Sequence, residues 1–394
     1  MPTTVFAARR AVMIAFFLNG FGFATWVSRI PAVRAELELS NGRLGQLLLV
    51  IAVGSVLTLP TAGALINRIG AAHVVRVGVI AAVFGLGTTA IGTGVLQSVP
   101  VVGVGLFCYG VGIGLWDVAM NVEGAAVERE LGRTIMPVFH ALFSLGAVAG
   151  AVIGAVATGV GMSLVAHVVP MAVLMFVLAQ VTVGNFLPRD AVHAEGVPVR
   201  GRALRAWLEP RTILIGLMVF ALAVTEGTAN DWLAVALVDG YAVPHWVGVA
   251  GFVVFVSSMT AARMFGSVLV DRWGRALMLW STMAAAIVGV LLIVVGGHPA
   301  IVSAGIVLWG AGASLGFPVG ISAAADDPAH AAVRVSVVST IAYLAFLAGP
   351  PLLGVVADHI GTLNALLVVA VLLVPSALLV PAAAPRAVSA VQSD

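Results

Sequence analysis

The chain has 394 residues, 61% of them hydrophobic and 9% charged, with a formal net charge of +2 and a mean hydropathy of +1.13. Soluble domains carry roughly a quarter charged residues, so this composition excludes a soluble protein and places the chain in a lipid bilayer. A net charge this small gives no reason to expect nucleic acid as a partner, and the single cysteine, Cys108, rules out an intrachain disulfide or a cysteine-based metal cluster.

A membrane-crossing helix needs about 20 apolar residues. Polar breaks divide the sequence into twelve such stretches, near residues 11–30, 44–66, 74–96, 99–123, 135–160, 164–187, 211–237, 246–269, 276–296, 299–322, 333–356 and 362–383. Transmembrane strands alternate apolar and polar residues, whereas LMLWSTMAAAIVGVLLIVV is apolar throughout. The expected fold is therefore all-α and integral to the membrane. Arg9 and Arg10 precede the first run, but no small-residue cleavage pattern follows it, so it reads as an uncleaved first helix.

Every one of the 19 basic residues is arginine. With the N-terminus in the cytoplasm, most of them fall on the cytoplasmic side; only Arg29, Arg34 and Arg43 fall clearly outside. The positive-inside rule then predicts that both termini are cytoplasmic in a multi-pass membrane protein.

The first span carries Asn19, Phe23 and Trp26 along one stripe. The fourth, GIGLWDVAMNVEG, carries Asp117 and Asn121 four residues apart and so on one face. Glu123 is turned away from that face and reads as an interfacial acid pairing with Arg129 or Arg133. His140, early in the fifth span, either bonds Asn121 or Asp117 or is a packed helix-end histidine. Gly146, Gly150 and Gly154 of the same span form a small-residue face for close helix contact.

Residues 188–210 are the longest polar interruption and contain Pro188, Pro198 and Pro210. They separate an N-terminal half, 1–187, from a C-terminal half, 211–394. Within them Leu204, Trp207 and Leu208 can share the apolar face of a short interfacial helix, the alternative being a disordered linker.

The seventh span carries Glu226 and Asn230 at the spacing of Asp117 and Asn121, with Asp231 and Trp232 following. The eighth contains Arg263, expected to turn toward Asp271 two turns along, so neither Glu226 nor Asp117 is expected to have a fixed cation. In the tenth, Gly316 and Pro318 interrupt regular hydrogen bonding and predict a bend.

The halves echo each other. GALINRIGA, with Asn67, Arg68 and Gly70, matches SVLVDRWGR, with Asp271, Arg272, Gly274 and Arg275, at an offset of 204; YGVGIGLWD matches WGAGASLGF at an offset of 200. Internal symmetry of this kind marks transporters built from repeated halves.

These features together resemble the major facilitator superfamily. Its signature G-x-L-x-D-R-x-G-R is met by Leu269, Asp271, Arg272, Gly274 and Arg275, while Asn67 and Ala71 depart from it in the first copy. More narrowly, WVSRIPAVRAELELSNGRLGQLLL, WDVAMNVEG and EGTANDW resemble the bacterial YbjJ-like branch, distantly similar to fucose permeases. The resemblance implies two six-helix bundles, spans 1, 4, 7 and 10 around a central cavity, and alternating access by rocking of the halves.

The expected activity is proton-linked transport of a small polar solute, sugar-like in one reading; the alternative is a proton-driven efflux pump for amphipathic compounds. Desolvated acids without a cation can bind a proton at neutral pH. Substrate or proton binding is accordingly assigned to Asn19, Trp26, Asp117, Asn121, His140, Glu226, Asn230, Asp231 and Trp232. The loops containing Asn67, Arg68, Gly70, Asp271, Arg272, Gly274 and Arg275 are expected to act as conformational switches. No catalytic or nucleotide-binding motif is present, so enzyme activity, a cofactor and a bound metal are not expected. A monomer in the bilayer, with the solute and protons as its ligands, is the predicted working form.

Overall fold

The computed structural model describes residues 3–132, 135–188, 206–326 and 331–384. The interfacial helix expected in the linker lies almost wholly outside the described residues. Trp207 and Leu208, which are described, are exposed at 42% and 77%.

The chain is all-α. Among the described residues twelve helical segments are long and apolar enough to cross a membrane. The first span is α1 (Thr3–Val27), continued by the short α2 (Ile30–Glu36). Spans two to six are α3 (Asn41–Ile69), α4 (Ala71–Gly94), α5 (Val99–Leu131), α6 (Met136–Gly159) and α7 (Leu164–Val183). Spans seven to nine are α8 (Pro210–Tyr241), α9 (His245–Trp273) and α10 (Arg275–Val295). The tenth is α11 (Pro299–Ala313) followed by α12 (Gly316–Ala324), the eleventh α13 (Ala331–Ile360). The last is α14 (Thr362–Ala365), α15 (Val368–Ser376) and a 3₁₀ turn, Ala377–Ala383.

The residues form two compact units, one of 1–196, 228–260 and 347–366, the other of 197–227, 261–346 and 367–394. In the first, α1 packs on α6, and α5 on α3 and α4. The expected glycine face of α6 is present: a Cβ added at Gly150 would stand 2.5 Å from the Phe21 carbonyl oxygen, and one at Gly146 would collide with the carbonyl of Phe17. With no side chain between them the backbones approach closely and gain dispersion contacts that lipid tails cannot match.

The sequence repeat reappears as a packing repeat. Between α4 and α5, a Cβ at Gly85 would meet the Tyr109 nitrogen and the Gly105 oxygen, and one at Gly112 the Ala82 nitrogen. In the second unit, a Cβ at Gly289 would meet the Trp309 nitrogen and the Gly305 oxygen, and one at Gly312 the Ala286 nitrogen. These are the same contacts displaced by 204 residues on one helix and 200 on the other.

The tenth span bends where expected. Ser314 and Leu315 separate α11 from α12. Pro318 has no N–H to give to the carbonyl four residues back, which is that of Ser314, and the helix restarts beyond the gap.

Candidate functional site

In the first unit, the amide of Asn121 donates to the Asp117 carbonyl at 2.9 Å and to its carboxylate Oδ1 at 3.3 Å. Their shared face on α5 is thus formed as the spacing predicts. No cation contacts Asp117 among the described residues.

Asn19 and Trp26 on α1 are 6% and 4% exposed, and Trp232 on α8 is 1% exposed. Phe23 packs on Phe143 of α6, ring centroids 6.5 Å apart. Asn230 and Asp231 are half-buried. None of Asn19, Trp26, Asn230, Asp231 or Trp232 is joined to Asp117 by a hydrogen bond among the described residues. On these spans the buried donors Asn19 Nδ2, Trp116 Nε1, Thr228 Oγ1 and Trp232 Nε1 have no hydrogen-bond partner among the described residues. A buried donor left unpaired is costly, and such groups are few in a folded protein.

His140 is exposed and meets Phe16 edge-on at 5.2 Å. Of the other tryptophans, Trp309 is fully buried in the α10–α11 contact, and Trp246 is 48% exposed.

Glu123 corrects an expectation. It is fully buried within the protein and its described partner is not an arginine: Oε1 accepts the Leu187 N–H at 2.5 Å, while Oε2 has no partner among the described residues. Arg129 does not reach it, and Arg133 lies outside the described residues. The segment after α7 folds back over α5 and presents a backbone N–H that lies beyond the helix and takes the carboxylate as its acceptor, a tertiary return that local spacing does not encode. The acid that works at the turn after α5 is Glu128, whose Oε2 accepts the N–H groups of Ile135 and Met136 at 2.6 and 2.8 Å.

The second correction concerns Glu226, in the second unit. Arg263 turns away from Asp271 and donates an Nη2 hydrogen to Glu226 Oε2 at 2.9 Å, so Glu226 does have a cation. The Nε–H of Arg263 goes to the Ser314 carbonyl at 3.0 Å, the same oxygen that Pro318 leaves without its helical partner. One guanidinium therefore neutralises the acid of α8 and caps the break between α11 and α12. Ranking partners along one helix missed this because α8, α9 and the tenth span meet only in the fold. A lone arginine in an apolar run, together with a proline break elsewhere, was the available signal.

Of the switch-loop residues, Gly70 (φ 85°, ψ 153°) and Gly274 (φ 81°, ψ 158°) share one backbone conformation immediately before a helix. Positive φ there suits glycine. Asn67, Arg68, Asp271 and Arg272 are exposed, and Arg272 lies 5.9 Å from the Trp273 ring centroid. Arg275 reaches Asp326 at 2.6 Å and the Ser322 hydroxyl at 3.0 Å. Asp326 also binds Arg211 at 2.8 Å, and Arg211 donates to the carbonyls of Ala382 and Ala384. Burial alone would raise the Asp326 pKa, but the two arginines hold it below the ordinary carboxylate range.

Residues 12–332 and 245–392 match the family model described as Major Facilitator Superfamily. The chain is 33% identical to the uncharacterized transporter y4wD of Sinorhizobium fredii, over 89% of this chain and 91% of that one. It is 31% identical to an uncharacterized MFS-type transporter of Yersinia pestis, over 88% of each, and 27% identical to the membrane protein MosC of Rhizobium meliloti, over 91% and 85%. Among solved structures, a point mutant of the nucleoside transporter NupG superposes with a TM-score of 0.81 at 13% identity, covering 95% of this chain and 99% of that one. A bacterial homologue of the human lysosomal transporter Spinster superposes at 0.72 and 14% identity, covering 97% and 98%.

Proposed function

The chain belongs to the Major Facilitator Superfamily, and on that premise we propose that it moves a small, uncharged polar solute across the membrane by alternating access of two six-helix halves, 1–187 and 211–394, driven by protons bound at Asp117. Both termini and residues 188–210 face the cytoplasm in this reading, because the arginine asymmetry requires it.

The observation that carries the proposal is the contrast between the two acids. Glu226 already has the guanidinium of Arg263, so taking up a proton there would break an ion pair. Among the described residues Asp117 has only the amide of Asn121, so protonation removes a desolvated charge and lowers the cost of closing the site around it. The pairing at Glu226 also replaces the expectation that it meets the solute as a bare carboxylate: the Glu226–Arg263 pair is neutral overall and offers donors and an acceptor to hydroxyls. Within the first unit, the donors of Asn19, Thr228 and Trp232, which have no partner among the described residues, are of the kind that a sugar or nucleoside hydroxyl satisfies.

The test has two stages. Purified protein is first screened by thermal shift against sugars, nucleosides and lipophilic cations, since a ligand raises stability according to its concentration over Kd. Stabilisation by lipophilic cations alone would overturn the polar-solute reading. With the ligand found, Asp117→Asn in proteoliposomes should exchange it in counterflow yet fail to accumulate it under a pH gradient. Accumulation at the wild-type level would remove Asp117 as the proton carrier.

A further inference from the structure

A third glycine has the conformation of Gly70 and Gly274. Gly361 (φ 85°, ψ 152°) likewise stands immediately before a helix, α14. It closes the segment VADHIGT, residues 356–362, which puts Asp358 three residues ahead of its glycine, where Asp271 and Asn67 stand ahead of theirs. Loops after odd-numbered and even-numbered spans lie on opposite faces of a membrane. The loop after span eleven therefore repeats the loops after spans two and eight with its direction inverted, a relation found within transporter halves.

This third copy is engaged. Oδ1 of Asp358 accepts the Asn41 N–H at 3.0 Å and Oδ2 accepts the Gly42 N–H at 2.9 Å. Those N–H groups open α3 and have no partner within their own helix, and the helix dipole there favours a negative charge. The seam has no room for side chains: a Cβ at Gly45 would stand 2.5 Å from the Pro350 carbonyl, and one at Gly354 2.6 Å from the Asn41 carbonyl. A second acid holds the other end of the same connection. Asp239, near the end of α8, pairs with Arg34 and accepts the Thr362 hydroxyl at 3.1 Å. All of these residues belong to the first unit. The connection between spans one and two is thus gripped at both ends by acids from spans seven to twelve.

We propose that residues 354–362 are an inverted copy of the signature loop and form a latch: Asp358 on the N-terminus of α3, assisted by Asp239 on Arg34, holds the membrane face remote from the N-terminus shut, and its release lets that face open. The acid that the first copy lacks at Asn67 is supplied, on the opposite face, by Asp358. This inference rests on the latch geometry and does not depend on which acid carries a proton.

Full-length protein in nanodiscs, in a Cys108→Ala background, is spin-labelled at Glu36 and Pro244, two exposed positions on that face outside the latch contacts. Double electron–electron resonance then reads the distance between them. Asp358→Asn should raise the long-distance population roughly tenfold, as expected for losing a charge-assisted helix cap, while Glu130→Gln, an exposed acid at the end of α5 outside the latch and the signature loops, should leave the distribution unchanged. An unchanged distribution in monodisperse Asp358→Asn protein, or equal lengthening by Glu130→Gln, would overturn the proposal. If Asp358→Asn does not fold, Asp239→Asn reads the same opening, and the exchange Arg34→Asp with Asp239→Arg should close it again. Failure of Asp239→Asn to lengthen the distance, or of the exchange to reverse that lengthening, would refute the latch.

Discussion

Replacing Arg263 by methionine tests the bridge it makes, because the substitution removes two bonds of different kinds while keeping an apolar stem. Both bonds are charge-assisted, since the donor is a guanidinium, and a hydrogen bond involving a charged group contributes about 1.5–3 kcal/mol. The side chains of Arg263 and Glu226 remain 27% and 22% exposed, so water replaces part of the ionic contact and about 2 kcal/mol is the appropriate figure for it. Arg263→Met should then lose about 3.5 kcal/mol, of which about 1.5 is the Ser314 carbonyl. Glu226→Gln, which keeps that carbonyl capped, should lose less. The double variant no longer holds an orphan charge, so it should be more stable than Arg263→Met alone and short of the wild type only by the carbonyl term. Thermal unfolding in one detergent ranks the three by shifts of a few degrees. Losses that simply add, within about 0.5 kcal/mol, would show that the two residues do not act as a pair and would undo the argument that Glu226 is already neutralised.

The remaining predictions concern the ends and seams of the helices. Asp326 has a folded pKa below its unfolded value of about 4, so its stabilising effect is fully present above pH 4 and lost as pH falls through the lower folded value. The difference in Tm between the wild type and Asp326→Asn should accordingly stay constant from pH 8 to 5 and shrink below pH 4; a constant gap down to pH 3 would refute the two-arginine clasp. Gly150→Leu should abolish folded expression, because even its Cβ meets the Phe21 carbonyl. Gly87→Ala, where a Cβ meets nothing within 4 Å, should be neutral or gain about 0.5–1 kcal/mol. Equal behaviour of the two in size-exclusion profiles would mean that the α1–α6 seam tolerates side chains.

The spans, their number and the bend in the tenth were legible in the sequence because each follows from chemistry local to the chain: unbroken apolar length, and a proline that cannot donate. The glycine face of α6 was legible for the same reason, since its four-residue spacing is a property of one helix. What stayed hidden was pairing across helices. Arg263 has Asp271 two turns away on its own helix, and nothing in the sequence says that Glu226, 37 residues earlier, is nearer. Glu123 reads as an acid pairing with an arginine close by in sequence, yet the chain returning after α7 meets it with the Leu187 N–H. The third glycine loop escaped notice because His359 stands where the signature has arginine, and its likeness to the other two is in backbone angles more than in side chains.

The matched glycine contacts of α4 with α5 and of α10 with α11 have a mechanical consequence. Helices that touch through side chains can slide by a fraction of an ångström as rotamers adjust, which is how shear motions are absorbed. Where backbone meets backbone there are no rotamers to adjust, and a displacement of even a methyl's width meets hard repulsion. Each of these pairs is therefore a stiff girder, resistant to both sliding and rolling. Whatever compliance the chain possesses is concentrated outside them, at points such as the interrupted backbone of Ser314 and Leu315, where a single guanidinium sets the stiffness of the joint.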